Sequence, residues 1–211
     1  AEGRFIDGTT IETPFSAAGA RLATTRAGGR QRVGSAFVQG TFRATDRLTI
    51  VAGAHGDGWH TKADNTGFER TLGAFNPRAS VAYRMGDSGV SLRASAYGGF
   101  RAPTLNELYR GFRVGNTVTN PNEALEPERL KGFEGGVLAS RGRVSARVTG
   151  FWSTLDEAVS NVTVSSTSSL ITRQRRNADE QRASGVEFEA ELALPRAVTV
   201  GFAGAVIASH A

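Results

Sequence analysis

Cysteine is absent from this sequence, which removes disulfides and thiolate metal sites from consideration and suits a cell-envelope protein. Long apolar runs are missing too. No stretch approaches the ~18 consecutive apolar residues that a spanning helix needs, and the mean hydropathy is −0.25, so a helical membrane protein is excluded. A β-barrel is not, because only alternate residues of its strands face lipid and its average can look soluble. Lysine is nearly lacking, with only Lys62 and Lys131 among 25 basic side chains and a formal net charge of +5. The arginines are spread from Arg4 to Arg196, with one cluster at Arg173–Arg176, and this dispersal gives no basic tract for nucleic acid. No initiator methionine, signal peptide or closing aromatic residue is found, so the chain reads as a fragment.

What the chain has is alternation. One phase is apolar at Ala36, Val38, Gly40 and Phe42, at Leu48, Ile50, Ala52 and Ala54, and at Ala79, Val81, Tyr83 and Met85. It recurs at Val90–Ala96, Phe133–Ala139, Val144–Trp152, Val186–Leu194 and Val198–Val206. The other phase carries Gln39, Thr41 and Arg43, then Arg78 and Ser80, then Arg93 and Ser95, then Arg147, and finally Glu187, Glu189 and Glu191. Period-two patterning over such lengths predicts strands with two unlike faces.

Short turns are expected at Thr45–Asp46, Gly86–Gly89, Ser140–Gly142 and Pro195–Ala197, each rich in turn formers. Between them, connections of roughly 20 to 32 residues are expected to begin near Gly56, Arg101 and Ser153, longer than compact soluble domains favour. Short alternating with long is the pattern of an outer-membrane barrel, whose short turns face the periplasm and whose long loops face outward. Phe42 and Tyr83 beside the short turns, with Phe100 and Trp152 at the opposite ends, would form two interfacial girdles. A soluble sandwich would bury the same phase as its core. Against that, the phase is rich in alanine and glycine, which would fill a core thinly, whereas a lipid-facing surface has less need of bulk.

Three segments carry a family resemblance: "SLRASAYGGFRAPTLNELY" (Ser91 to Tyr109), "NPNEALEPERLKGFEGGV" (Asn120 to Val137) and "RQRRNADEQRASGVEFEAEL" (Arg173 to Leu192). In order and spacing they resemble the C-terminal half of the barrel of TonB-dependent outer-membrane receptors, over about Gly34 to Ile207. The resemblance implies an all-β, antiparallel up-and-down transmembrane barrel, of which this chain would supply about eight or nine of about 22 strands. It implies residence in the outer membrane of a Gram-negative bacterium and import of a scarce nutrient, most commonly a ferric siderophore and sometimes cobalamin, haem or a glycan. It also implies TonB as a partner, acting through a plug domain that nothing here resembles. Residues 1–32 are expected to be an extracellular loop and part of one strand, and residues 33–211 the partial barrel. Other readings are a small structural or pore-forming barrel, since eight strands can close, and a soluble carbohydrate-binding β-domain.

The segment after Phe100 is where ligand contacts are expected. Proline donates no ladder hydrogen bond, so Arg101-Ala102-Pro103 would lead the chain out of the sheet. The loop then gathers Arg101, Asn106, Tyr109, Arg110, Arg113 and Asn116, and with His60 these are the candidate ligand-binding residues, suited to an anionic or aromatic ligand and equally to loop packing. Glu187, Glu189 and Glu191 are expected to line the lumen, paired with arginines such as Arg147. His55 and His60 are five apart, which is not a usual metal-ligand spacing, and no metal or cofactor is expected. No nucleophile elbow, Walker loop or dinucleotide fingerprint occurs, and the chain carries no argument for an enzyme.

Overall fold

The computed structural model describes residues 1–13, 20–21 and 24–210. Nine long strands follow one another as an antiparallel meander: β1 (Glu2–Glu12), β2 (Thr25–Arg43), β3 (Leu48–Ala63), β4 (Glu69–Arg84), β5 (Val90–Arg101), β8 (Glu128–Arg141), β9 (Val144–Ser166), β10 (Ile171–Leu194) and β11 (Val198–His210). Between β5 and β8 the chain makes an excursion that holds a short helix, α1 (Leu105–Tyr109), and two small strands, β6 (Phe112–Val114) and β7 (Thr117–Asn120). The sheet does not close, since β1 pairs only with β2 and β11 only with β10 among the described residues. A complete small barrel is thereby excluded, and the chain forms a partial barrel wall.

Register shows how the alternation is used. Residues directly opposite in a ladder share a face. Phe42, Ile50, Val81, Ala94, Gly135, Gly150, Val186 and Val206 stand opposite one another in turn across eight strands, giving one continuous apolar row. Much of this face is open, with Phe42 65% and Phe133 54% exposed, as a surface bathed by hydrocarbon requires. The opposite, inner face carries the polar phase, including a hydrogen bond from Arg93 to Thr149 and the expected ion pair between Arg147 and Glu189 at 3.3 Å.

Two of the three long connections are not loops. β3 continues to Ala63 and β4 begins at Glu69, leaving only Asp64–Phe68 between them, and β9 and β10 are joined by Thr167–Leu170. The ladder runs on beyond the strictly alternating stretches, and there the two-residue pattern of hydropathy fades although the pairing does not. β10, with 24 residues, is about twice the length that a tilted crossing needs. Of the three, the connection from Ala102 to Pro127 is a real excursion. Phe100 also departs from the girdle expectation: its ring stacks on buried Trp59, with centroids 5.1 Å apart. Trp152 does lie on the outer face, 5.5 Å from Phe133.

Within residues 1–32 the structure places β1 and the start of β2, and part of the segment between them lies outside the described residues.

Candidate functional site

The excursion folds inward across the upper inner face of the wall. Pro103 is fully buried and starts it; Thr104 then caps α1 by accepting from the Glu107 amide, while the Glu107 carboxylate accepts from the Thr104 amide at 2.8 Å. This capping box, spelled Thr-Leu-Asn-Glu, holds the single turn of helix in place. It turns Leu108 and Tyr109 onto β2 and β3, where they join Ala63 and the wholly buried Leu125 in the one compact apolar cluster among the described residues, with Val159 of β9 packed against it. Tyr109 shares a 2.7 Å hydrogen bond with Thr61, itself buried on the same inner row as Trp59 and Ala63.

Charged groups stitch the excursion down. Arg101 donates to both oxygens of Glu107, at 2.8 and 3.0 Å, and to Glu128 at 2.8 Å. Glu128 also accepts the Val159 amide at 2.8 Å, so one guanidinium and two carboxylates tie β5, α1, β8 and β9 together. Burial opposes ionisation of Glu107, but hydrogen bonds from Arg101 and from the Thr104 amide and hydroxyl together outweigh it and hold the carboxyl below its ordinary value. Tyr109 is pushed the other way: burial raises its phenol and the bond to Thr61 offsets only part of that.

Further along, Arg110 donates to Glu12 of β1 at 2.7 Å. Arg175 of β10 donates to the carbonyls of Asn106 and Arg110, and its guanidinium lies 5.3 Å from the centre of the Phe112 ring. Asn177 accepts the Glu126 amide and donates to the carbonyls of Glu126 and Glu157. β7 then pairs in parallel with β10, Ile171–Gln174 against Thr117–Asn120, filling the edge of β10 above the point where β11 ends.

The candidate ligand residues fall into three groups. Arg101, Tyr109 and Arg110 are engaged in packing the excursion. Asn106, Arg113 and Asn116 keep exposed side chains at its rim, with Arg113 donating to the Gly115 carbonyl at 2.9 Å and the Asn116 carbonyl accepting from Ile171 at 2.9 Å. His60 is not among them in space. It stands on the outer phase of β3, bonded through Nδ1 to Thr71 at 3.1 Å. Sequence reasoning missed Glu12, Glu128 and Arg175. The capping box was readable in Thr104 and Glu107, but nothing local marks Glu12 as the partner of Arg110. No group of three His, Asp or Glu side chains among the described residues is placed to hold a metal ion.

The sequence profile of the TonB dependent receptor-like β-barrel family matches residues 3–208. The chain belongs to this family. Solved structures agree in fold. The family wall superposes on the hemophore receptor HasR of Serratia marcescens, solved as a double mutant with its hemophore HasA and heme, with a TM-score of 0.70 and 16% identity over 90% of this chain and 39% of that one. The copper transporter OprC gives 0.67 and 14%, over 97% of this chain and 35% of that one. The siderophore receptor PirA from Pseudomonas aeruginosa gives 0.61 and 13%, over 98% of this chain and 46% of that one. The chain thus spans less than half the length of each of these structures. A search of curated protein sequences finds no match.

Proposed function

We propose that this chain is a wall segment of an outer-membrane receptor that binds a scarce nutrient at the cell surface and imports it with energy from TonB, and that the nutrient is a ferric siderophore. The observation that carries the reading is the family match over residues 3–208, joined to an excursion that leaves Asn106, Arg113 and Asn116 exposed at one rim of the wall. Relatives of the same fold are described as a siderophore receptor and a ferric yersiniabactin uptake receptor, which favours a chelated iron ligand. An anionic iron chelate meets Arg113 by charge and the two asparagines by hydrogen bonding. In this reading Arg101, Tyr109 and Arg110 act by holding the excursion in shape, and His60 stays outside the contact set. TonB would act through a plug domain supplied elsewhere in the receptor. The test is uptake of radiolabelled iron presented as a panel of siderophores to cells making the full-length receptor, with and without TonB. TonB-dependent uptake of one chelate is expected. Uptake of heme or a copper salt alone, with no chelate taken up, would replace the proposed ligand class.

A further inference from the structure

The inner face of the wall holds a carboxylate without a permanent cation beside it. Asp57 stands two residues from His55 on β3, and strand alternation sets both on the inner row that continues through Trp59, Thr61 and Ala63. The Asp57 side chain is only 6% exposed, and no lysine or arginine among the described side chains lies within ion-pair distance of it. A carboxylate so withdrawn from water needs a compensating positive charge. Its neighbours are His55, whose Nδ1 lies 3.2 Å from Asp57 Oδ2, and Asn76, whose side-chain amide donates to the same oxygen at 3.5 Å. Asn76 is itself buried and stands directly opposite His55 in the ladder between β3 and β4, so three side chains of two strands meet at one point. His55 and His60, five apart, fall on opposite faces, whereas His55 and Asp57, two apart, share one.

The spacing suits a metal ion. Ligands bonded to a first-row divalent ion at about 2.1 Å stand about 3.0 Å apart in an octahedral set and about 3.4 Å apart in a tetrahedral one. The separations of 3.2 and 3.5 Å lie close to that range. A half-turn of the Asn76 amide exchanges its N–H donor for Oδ1 and presents a lone pair to the same point. The His55 side chain is 45% exposed, which leaves further coordination positions open to water from the inner side. We propose that His55 Nδ1, Asp57 Oδ2 and Asn76 Oδ1 form a binding site for a divalent transition-metal ion, completed by water. One imidazole, one carboxylate and one amide oxygen suit zinc, cobalt or iron(II), and they disfavour copper(I), which prefers sulfur ligands, and calcium, which takes oxygen alone. The site lies further down β3 than Trp59 and apart from the exposed rim of Asn106, Arg113 and Asn116, so it holds its own ion whichever chelate the rim binds.

The test uses the full-length receptor without a polyhistidine tag, stripped of metal with EDTA in non-ionic detergent and titrated with cobalt(II). Bound cobalt is counted by equilibrium dialysis, and its ligand-field absorption is recorded alongside. Asp57→Asn and His55→Gln are each expected to lose one cobalt ion per receptor or to weaken that ion about tenfold or more. Asn76→Asp supplies a second carboxylate and should tighten the same ion about tenfold, which keeps the test standing should Asp57→Asn fail to fold. His60→Gln, on the outer phase, should bind cobalt as the parent does. Equal stoichiometry and affinity in the parent, His55→Gln and Asn76→Asp would overturn the site and leave His55 and Asp57 as a hydrogen-bonded pair. A loss confined to His60→Gln would put the ion on the outer face and overturn it equally.

Discussion

The ring of Tyr109 packs against Gly29, so close that a Cβ on the glycine would sit 2.6 Å from a ring carbon. The same construction recurs where a Cβ on Gly132 would be 2.8 Å from the ring of Tyr97, and one on Gly185 2.9 Å from that of Phe151. In those two cases ring and glycine stand directly opposite in the ladder, so the aromatic covers the gap that the missing side chain leaves.

Gly29→Ala is therefore expected to destabilise the full-length receptor by about 1–3 kcal/mol through overpacking. Tyr109→Ala should cost about 3 kcal/mol by opening a cavity. Because the carbonyl of Lys62 would also lie 2.6 Å from the new Cβ, removing the ring relieves only part of the Gly29→Ala strain. Thermal unfolding in detergent should show the double variant less destabilised than the sum of the singles, and strict additivity would separate the two sites.

The Arg101 cluster predicts an acid-sensitive excursion. The Glu107 carboxyl is held below its ordinary value of 4.5, so its contribution to stability is full above that value and is lost as pH falls through the lower, folded value. Limited proteolysis between Ala102 and Pro127 should begin as the pH drops below about 4.5. Glu107→Gln removes this charge-dependent part and should flatten the pH response while raising cleavage at neutral pH. An unchanged pH profile in that variant would remove Glu107 as its source.

Arg101→Ala leaves Glu107 and Glu128 facing each other without their shared cation. Since the Arg101 side chain is 41% exposed, the cost is set at about 1–3 kcal/mol, below that of a fully buried pair. Arg101→Lys should recover little, because an ammonium cannot serve two carboxylates with the same planar fork. Equal melting temperatures for the lysine variant and the parent would contradict the bidentate geometry.

Direction across the membrane is testable by labelling. A cysteine replacing Asn116 in the full-length receptor should react with an impermeant maleimide on intact cells, and one replacing Asp87, in the tight turn between β4 and β5, should react only once the outer membrane is opened. Labelling of the Asp87 position alone on intact cells would invert the wall.

Arg113→Ala and Asn116→Ala are expected to weaken siderophore binding about fivefold each, with little change in unfolding temperature, since both side chains are exposed. A loss of stability equal to that of Tyr109→Ala would return these residues to packing.

How much of this was legible follows from what each face meets. The strands from Ala36 onward were readable because lipid on one side and water on the other impose opposite chemistry on neighbouring residues. Gly56 to Ala63 and Ser153 to Ser166 hid their pairing because polar residues stand on both faces there, as His60 and Lys62 do on one face of β3 and Asp57 and Thr61 on the other. Glu2–Glu12 could not be phased for the same reason, with Arg4, Asp7, Thr9 and Glu12 falling on both faces. Within the site, Thr104 and Glu107 are three residues apart and could be read as a cap. The meeting of Arg110 with Glu12, and of Tyr109 with Gly29, depends on register across several strands, which no local pattern carries.

The bond between Arg110 and Glu12 joins residues 98 positions apart. Contacts of such sequence separation form late, because the chain between them must first lose its freedom. β1 to β5 are hydrogen-bonded neighbour to neighbour, so hairpins can add one at a time, and only when five strands stand in register does Glu12 come within reach of the excursion. A strand that slipped by one residue would turn Glu12 to the opposite face. The pair can therefore form only over a wall whose first five strands already stand in register.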